Sequence, residues 1–389
     1  MADYAIYLCD PLGRRITRVQ DYFRGRIAQR VNDAAPFWLD LPDYYFDAVA
    51  QSAAGGAAVD RDTIVEFSRS AGGQSARSFY YLVRGDQLRR AGQGKWRYRI
   101  SGYGLNYLLD SRIVAYAAGS AQAEHTDSAD DVMKAYVREN LGALTGTDPG
   151  RNLTDHGLTV ETDQALGVSL TKAASWRNVL RTLQAIADAS IQDGTPVFFG
   201  IEVTGRSPTT GAIQMVFKTK VGQWGRDLSA GEAQLRSDRD NLRDETLERD
   251  WSRERSVIYG LGAGPESARL KVEVTEARRR GATPWNRREG VYDNSRISVA
   301  ATLTDAANAE LVDSRPLLRV TATIAETPNW HYGIDYDFGD KLRAVVRSYS
   351  LEVWVSQVAL VFDRRGRERV LAQVTSTTAL GDSGAGADS

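Results

Sequence analysis

Near the C-terminal end of this chain three carboxylates, Asp335, Asp337 and Asp340, lie close together. Two carboxyl groups at a suitable separation are all that glycoside hydrolysis requires. Tyr332, Ile334, Tyr336 and Phe338 alternate with Gly333, Asp335 and Asp337, the period-2 pattern of a strand with one apolar and one polar side. Such a strand holds Asp335 and Asp337 on the same side, roughly 7 Å apart. Any half-polar strand produces that spacing, so the pair argues for a strand face before it argues for hydrolysis. The remaining chemistry is sparse. His125, His156 and His331 never fall at helical i, i+4 spacing, and the single cysteine, Cys9, cannot build a thiolate zinc site. Asp155-His156 has no nucleophile to support. Tyr259-Gly-Leu-Gly-Ala-Gly-Pro265 spaces its glycines G-x-G-x-G, not G-x-G-x-x-G, and residues 268–275 after it read as a strand where a dinucleotide site needs a helix. A glycine-rich β turn is the plainer reading. No H-E-x-x-H, Walker loop or G-x-S-x-G motif is present. The chain is therefore expected to be no enzyme and to carry no catalytic, metal-binding or cofactor-binding residues.

Composition narrows the partners. With 49 basic and 50 acidic residues the net charge is −1, so no global field draws the chain to nucleic acid or to an anionic membrane. Neither stable nucleic-acid binding nor membrane insertion is expected, because no window approaches the roughly 18 uninterrupted apolar residues of a span. The first residues lack the basic and apolar regions of a signal peptide. Cys9 excludes an intramolecular disulfide framework, fits cytosolic synthesis and reads as a small core residue of the first strand. A length of 389 residues predicts two or three domains. The 17 Tyr, 8 Trp and 35 Gly point to β structure with many turns.

The elements follow from periodicity. Short strands are expected at residues 4–8, 35–42, 63–69, 78–84 and 95–101, punctuated by Asp10-Pro-Leu-Gly13 and similar turn signals, before any convincing helix. That spacing predicts a barrel or sandwich. A first helix starts near Ser128, capped by Asp127 or Ser128, with Asp130 and Asp131 in its first turn. A second spans residues 175–189, with Val179, Leu180, Leu183, Ile186 and Ala187 on one face. Strands at 196–203 and 213–219 complete an α+β middle. Residues 226–255 alternate charges of both signs and read as a solvated connection, or as protomer–protomer ion pairs. A third helix at 297–312 and strands at 256–260, 320–324, 351–362 and 370–374 form a second β-rich unit. The small, polar stretch 381–389 predicts a disordered tail.

The order of these features resembles the tail hub family of bacteriophages: the baseplate hubs of contractile tails and the hub portion of siphophage tail-associated proteins. Arg30-Val-Asn-Asp33 before the strand at 37–41 resembles the family's first hairpin. Ile100-Ser-Gly-Tyr-Gly-Leu-Asn-Tyr-Leu-Leu-Asp-Ser-Arg112 resembles the segment where its barrel hands over to the middle domain. Ser175-Trp-Arg-Asn-Val-Leu180 resembles its second helix. Val257-Ile-Tyr-Gly-Leu-Gly262 and Tyr332-Gly-Ile-Asp-Tyr-Asp-Phe-Gly-Asp340 resemble its later barrel strands.

The resemblance implies a fold that is α+β and β-rich, with two β-barrel-like tube domains flanking a helical α+β middle region. The expected domains are 1–117, a first barrel; 118–250, the middle; 251–380, a second barrel with a loop-helix insertion at about 276–313; and 381–389, the tail. The implied function is a structural hub at the distal end of a virion tail. A homotrimeric ring would adapt a sixfold tail tube to a threefold spike or central fibre. Its partners would be a distal tail or tail tube protein, the tape-measure protein and the spike or central fibre protein. The chain stops soon after the second barrel, so a lytic domain is expected on another chain. Arg249, Asp335, Asp337 and Asp340 are the expected assembly residues. Two other readings stay open at this point: a tail-associated cell-wall hydrolase using Asp335 and Asp337, and a carbohydrate- or receptor-binding module favoured by the Trp and Tyr content.

Overall fold

The computed structural model describes residues 2–379 except 48–58, 72–74, 91–93, 117–119, 121, 146–148, 193, 232–233, 329 and 348. The tail expected at 381–389 and the first domain boundary at 117 lie outside the described residues. Strands dominate. The first block holds β1 (Asp3–Cys9), β2 (Arg15–Arg18), β3 (Arg24–Arg30), β4 (Pro36–Pro42), β5 (Ile64–Ser70), β6 (Arg77–Arg90) and β7 (Trp96–Gly104). The middle holds β8 (Ala123–Ser128), β9 (Leu158–Val160), β10 (Ser169–Ala174), β11 (Val197–Arg206) and β12 (Ile213–Val221), with helices α1 (Ala129–Asn140) and α2 (Val179–Gln192). After these come β13 (Gln234–Arg236), β14 (Leu242–Asp250), β15 (Val257–Leu261), β16 (Lys271–Thr275), β17 (Glu289–Asp293), α3 (Ala300–Asp313), β18 (Leu317–Ile324), β19 (Lys341–Val346), β20 (Tyr349–Asp363) and β21 (Glu368–Ala379).

The first and last blocks are one sheet. Its order is β14-β18-β21-β20-β3-β4-β7-β6-β5-β1-β2, with β19 beside β20 and β13 beside β19. The joint is β20, whose first half pairs with β19 (Lys341↔Trp354 to Val346↔Tyr349) and whose second half pairs with β3 (Gln357↔Arg30 to Asp363↔Arg24). A register shift between Val355 and Gln357 on the β21 side marks the hand-over, since a bulge bends and twists a strand. The sheet then curls. Tyr4 on β1 stacks on Phe362 of β20 at 3.9 Å, and Arg69 on β5 grips Glu368 of β21 at 2.7 and 2.8 Å, although β3, β4, β6 and β7 intervene in the sheet order. Side chains, not a backbone ladder, bring these edges together, so the lobe is barrel-like. Along β7 buried Tyr98, Ile100 and Gly102 alternate with more exposed neighbours, as a strand with one face on a core requires. Tyr98, Phe37, Phe67 and Ile27 from the first block share one core with Val353, Leu360 and Phe362 from the last. Each such large apolar side chain stabilises the fold by about 1.5–3 kcal/mol on burial.

The middle unit packs α1 and α2 against β11, β12 and β9 around Val132, Tyr136, Leu183, Ile186, Phe199 and Phe217. Ser128 is the N-cap of α1, as expected, but its hydroxyl donates to Asp130 and Asp131, both at 2.9 Å. Those carboxylates accept the backbone N–H groups of Leu166 (2.7 Å) and Gln164 (3.0 Å), and Asp130 pairs with the wholly buried Lys134 at 3.0 Å. They tie a loop to the helix start as well as answering its dipole.

Residues 257–313 depart from expectation. β15 lies in a separate three-stranded sheet between β16 and β17, not in the large sheet, and α3 covers that sheet through Ala307 and Leu311. The insertion therefore runs from β15 through α3, between β14 and β18, which pair directly with each other. Its glycines serve packing: a Cβ on Gly260 would meet Val272 at 2.7 Å, and one on Gly262 would meet the Ile297 carbonyl at 2.6 Å. The charged stretch 226–255 is likewise no plain connection. It supplies β13 and the edge strand β14.

Candidate assembly surface

Residues 332–338 are not a strand. Gly333 takes φ +85 and donates its N–H to the Tyr336 carbonyl at 2.7 Å, so the chain turns back on itself. The alternation arises because Tyr332 and Tyr336 are both buried while Ile334 is 46% exposed. Local turn geometry, reachable because glycine tolerates the left-handed region, beats the strand pattern. Asp335 and Asp337 consequently do not sit side by side on a sheet face.

Each of the three aspartates has its own task. Asp335 accepts the backbone N–H of His331 at 2.7 Å. Asp337 pairs with Arg77 of β6 at 2.6 Å, fastening the turn to the first block. Asp340 is 0% exposed and accepts from Arg226 Nη2 (2.6 Å), the Arg226 backbone N–H (2.7 Å) and the Asp337 backbone N–H (2.8 Å). Arg226 is correspondingly held protonated by this bond, which raises its pKa. Asp340 is thus an internal clamp and no surface contact, which corrects its expected place at an interface. Arg249 lies apart, exposed on β14, where it donates to the Tyr349 hydroxyl and sits 5.7 Å from that ring. Arg77 and Arg226 carry the site's geometry, yet no local signal marks them, because their partners are 260 and 114 residues away.

The same pattern of a buried acid held by arginines recurs. Asp40 meets Arg99 at 2.6 Å and Arg24 at 3.0 Å. Glu66 meets Arg15 at 2.7 Å, Arg206 at 2.6 Å and the Ser78 hydroxyl at 2.9 Å, so it links β5 to the β11–β12 arm of the middle unit. Burial pushes both acids up, but the guanidinium groups outweigh it and both pKa values are lowered. Each acid therefore stabilises the fold fully above the ordinary carboxylate range, near about pH 4, and that stability is lost as pH falls through the lowered folded values. Glu66→Gln is expected to cost about 1–3 kcal/mol at neutral pH and to give a shallower loss of thermal midpoint between roughly pH 5 and pH 2.5. An acid limb with the wild-type slope in that variant would remove Glu66 from this role.

A cleft of about 560 Å³ opens where the first block, the middle unit and the 332–338 turn meet, lined among others by Arg77, Tyr80, Asn106, Glu202, Trp224 and Phe338. Asn106 bridges its walls, accepting the Ile201 N–H at 2.7 Å and donating to the Asp33 carbonyl at 3.1 Å, while Asn32 accepts the Phe199 N–H at 2.8 Å. These bonds seat the middle unit on the first lobe. Among the described residues no group of three or more His, Cys, Asp or Glu is placed to hold a metal ion, and no helix is long and apolar enough to cross a membrane. What the arrangement offers is a cross-braced turn: Asp335, Asp337 and Asp340 each make a bond within the chain, and only Asp340 is fully buried among the three.

The comparisons agree with that architecture. No curated protein matches the sequence. The 43 kDa tail protein of prophage MuSo2 from Shewanella oneidensis superposes with a TM-score of 0.52 at 14% identity, covering 96% of this chain and 98% of that one. The tail protein from Neisseria meningitidis MC58 gives 0.52 at 15% identity, with 96% of each chain covered. At such identities the likeness shows a shared fold, and that fold is the one the sequence resemblance to phage tail proteins implied. A family model described as Siphovirus ReqiPepy6 Gp37-like protein matches residues 5–374, and the chain belongs to that family.

Proposed function

We propose that the chain is a structural, non-enzymatic subunit of a phage tail, a hub at the distal end of the virion tail. The observation that carries this reading is the shared strand β20, which pairs with β19 through its first half and with β3 through its second and so joins the strands of the first and last blocks in one subunit. Three copies of a two-lobed subunit offer six lobes around one axis, the arrangement that lets a threefold component meet a sixfold tube. The partners are then a distal tail or tail tube protein above, a spike or central fibre protein below, and the end of the tape-measure protein within. Domains at 1–117, 118–250 and 251–380 remain the proposed working units, the last with its insertion widened as described. Arg249 on the exposed edge strand β14 is the proposed assembly residue, with the half-buried Asp335 and Asp337 at the turn beside it in role only.

Light scattering of the purified chain across a concentration series tests the reading. The expected mass is three times the 42.8 kDa of one chain. A monomer at every concentration removes the ring. Release of fragments from peptidoglycan by the pure chain, lost on Asp337→Ala, would replace the scaffold with a hydrolase.

A further inference from the structure

We propose that the arginine-rich segment 277–288 of one copy, a short helix (Ala277–Gly281) and the loop after it, docks on the acidic edge strand β14 of the next copy, an inference that rests on the ring reading above. A ring of three cannot be closed by a self-complementary patch. Its interface is heterologous, so one chain must carry two different surfaces that fit each other. Two such surfaces are present.

The first is this helix-and-loop segment. It carries five arginines and no acid between residues 277 and 288. Trp285 within it is 88% exposed. Arg278, Arg280 and Arg288 are exposed and make no ion pair among the described residues, whereas Arg287 is engaged by Glu289 at 2.7 Å. The backbone beneath is pinned. Asn286 donates to the Arg279 carbonyl at 2.7 Å and to Glu254 at 3.1 Å, and its own carbonyl accepts from Ser256 Oγ at 2.5 Å. Buried Arg279 donates to the carbonyls of Arg255 (2.8 Å) and Leu311 (2.9 Å). The indole is thus presented on a fixed base, which limits the ordering cost of binding. Trp and Arg are also the residue types on which interface hot spots most often rest.

The second surface is β14, the terminal strand of the large sheet, whose outer backbone edge has no neighbouring strand among the described residues. Residues 238–250 carry six acids against three arginines. The register on β18 shifts between Arg243 and Thr246, and Asp244 takes φ 54 there, so Asp244 and Glu245 fall outside the ladder. Such a bulge re-aims side chains and blunts an edge against indiscriminate pairing. Asp240 and Asp244 are exposed and make no ion pair among the described residues. A polyanion such as single-stranded DNA fits the loop less well, because Glu273, Glu276 and Glu289 flank it and would repel phosphates.

The experiment follows the full chain's trimer–monomer midpoint by sedimentation, with circular dichroism to confirm folding. Arg278→Glu/Arg280→Glu/Arg288→Glu and, separately, Asp240→Arg/Asp244→Arg are each expected to raise the midpoint concentration at least about tenfold. Trp285→Ala is expected to do the same. The two charge sets combined in one chain are expected to return towards the wild-type midpoint, which a merely structural effect would not do. A ring reading that is itself wrong shows as a wild-type monomer throughout. Folded variants that keep the wild-type midpoint overturn this interface alone and leave the ring standing. Retention of a dT oligonucleotide that depends on Trp285, with the midpoint unmoved, overturns it in favour of nucleic acid.

Discussion

Gly102→Ala is expected to lower the thermal midpoint by about 10 °C or more, equivalent to about 4 kcal/mol in a unit of this size. Gly102 lies on β7, opposite Val83 of β6 and Phe37 of β4. A Cβ there would stand 1.8 Å from the Leu82 carbonyl oxygen and 2.9 Å from the Arg84 nitrogen. No rotamer relieves a clash between backbones, so β6 and β7 would have to separate where the ladder already shifts register between Val83 and Gly85. The disturbance would travel, since Asn106 follows closely and bonds the middle unit to this lobe. Gly85→Ala is the control: its Cβ would meet only Ser101 Oγ, at 3.5 Å, and a change within about 1 kcal/mol is expected from lost glycine freedom alone. Equal midpoints for the two variants would show that β6 and β7 part at little cost, and the argument from close approach would fall.

That glycine shows how much of the molecule was legible in the sequence. The segment around Gly102 reads as the hand-over from the first β unit to the middle, and in it Asn106 bonds Ile201 and Asp33. The helical stripe from Val179 to Ala187 is buried as its spacing requires, and the alternation around Tyr98 and Ile100 is buried as a strand's must be. Local patterns were readable where one face of an element meets a core. What failed was non-local. β20 looks like any long apolar strand, and nothing in its residues states that half of it pairs with a strand more than three hundred positions earlier. Residues 257–262 look like a barrel strand because they are largely apolar, yet Gly260 and Gly262 admit α3 against a separate sheet. The aspartates near residue 337 were visible, but their partners, Arg77 and Arg226, are set only by the tertiary fold. Sequence periodicity encodes which side of an element is wet; it does not encode which distant cation meets a buried anion.

Asp340→Ala, the second large effect, is expected to cost about 3–5 kcal/mol, because it removes the anion from a buried, fully bonded site. The loss is not chiefly Coulombic. The Arg226 side chain is 52% exposed and can turn to water when released. The backbone N–H groups of Arg226 and Asp337 cannot, and each orphaned donor costs about 1–3 kcal/mol. Nor can the neighbourhood collapse to compensate: Gly225 packs so closely that a Cβ on it would stand 2.4 Å from Asp340 Oδ1. Asp340→Asn keeps one acceptor but turns an amide donor towards groups that already donate, so an intermediate loss is expected. Arg226→Ala leaves both backbone bonds in place and admits water beside the carboxylate, and about 2 kcal/mol is expected. Because the two residues act as one unit, Asp340→Ala/Arg226→Ala should be scarcely worse than Asp340→Ala alone. Simple addition of the single losses in thermal unfolding would mean that the clamp is two independent contacts. With the clamp gone, the turn would lose its tie to the segment at Arg226 and keep its ties to the first lobe, namely the Arg77–Asp337 ion pair, whose partners are both partly in solvent, and the Tyr332 hydroxyl on Gln29 at 3.2 Å. The β3–β20 ladder and the Arg69–Glu368 pair are untouched by the substitution, so local opening of residues 332–340 is expected before the large sheet itself unfolds.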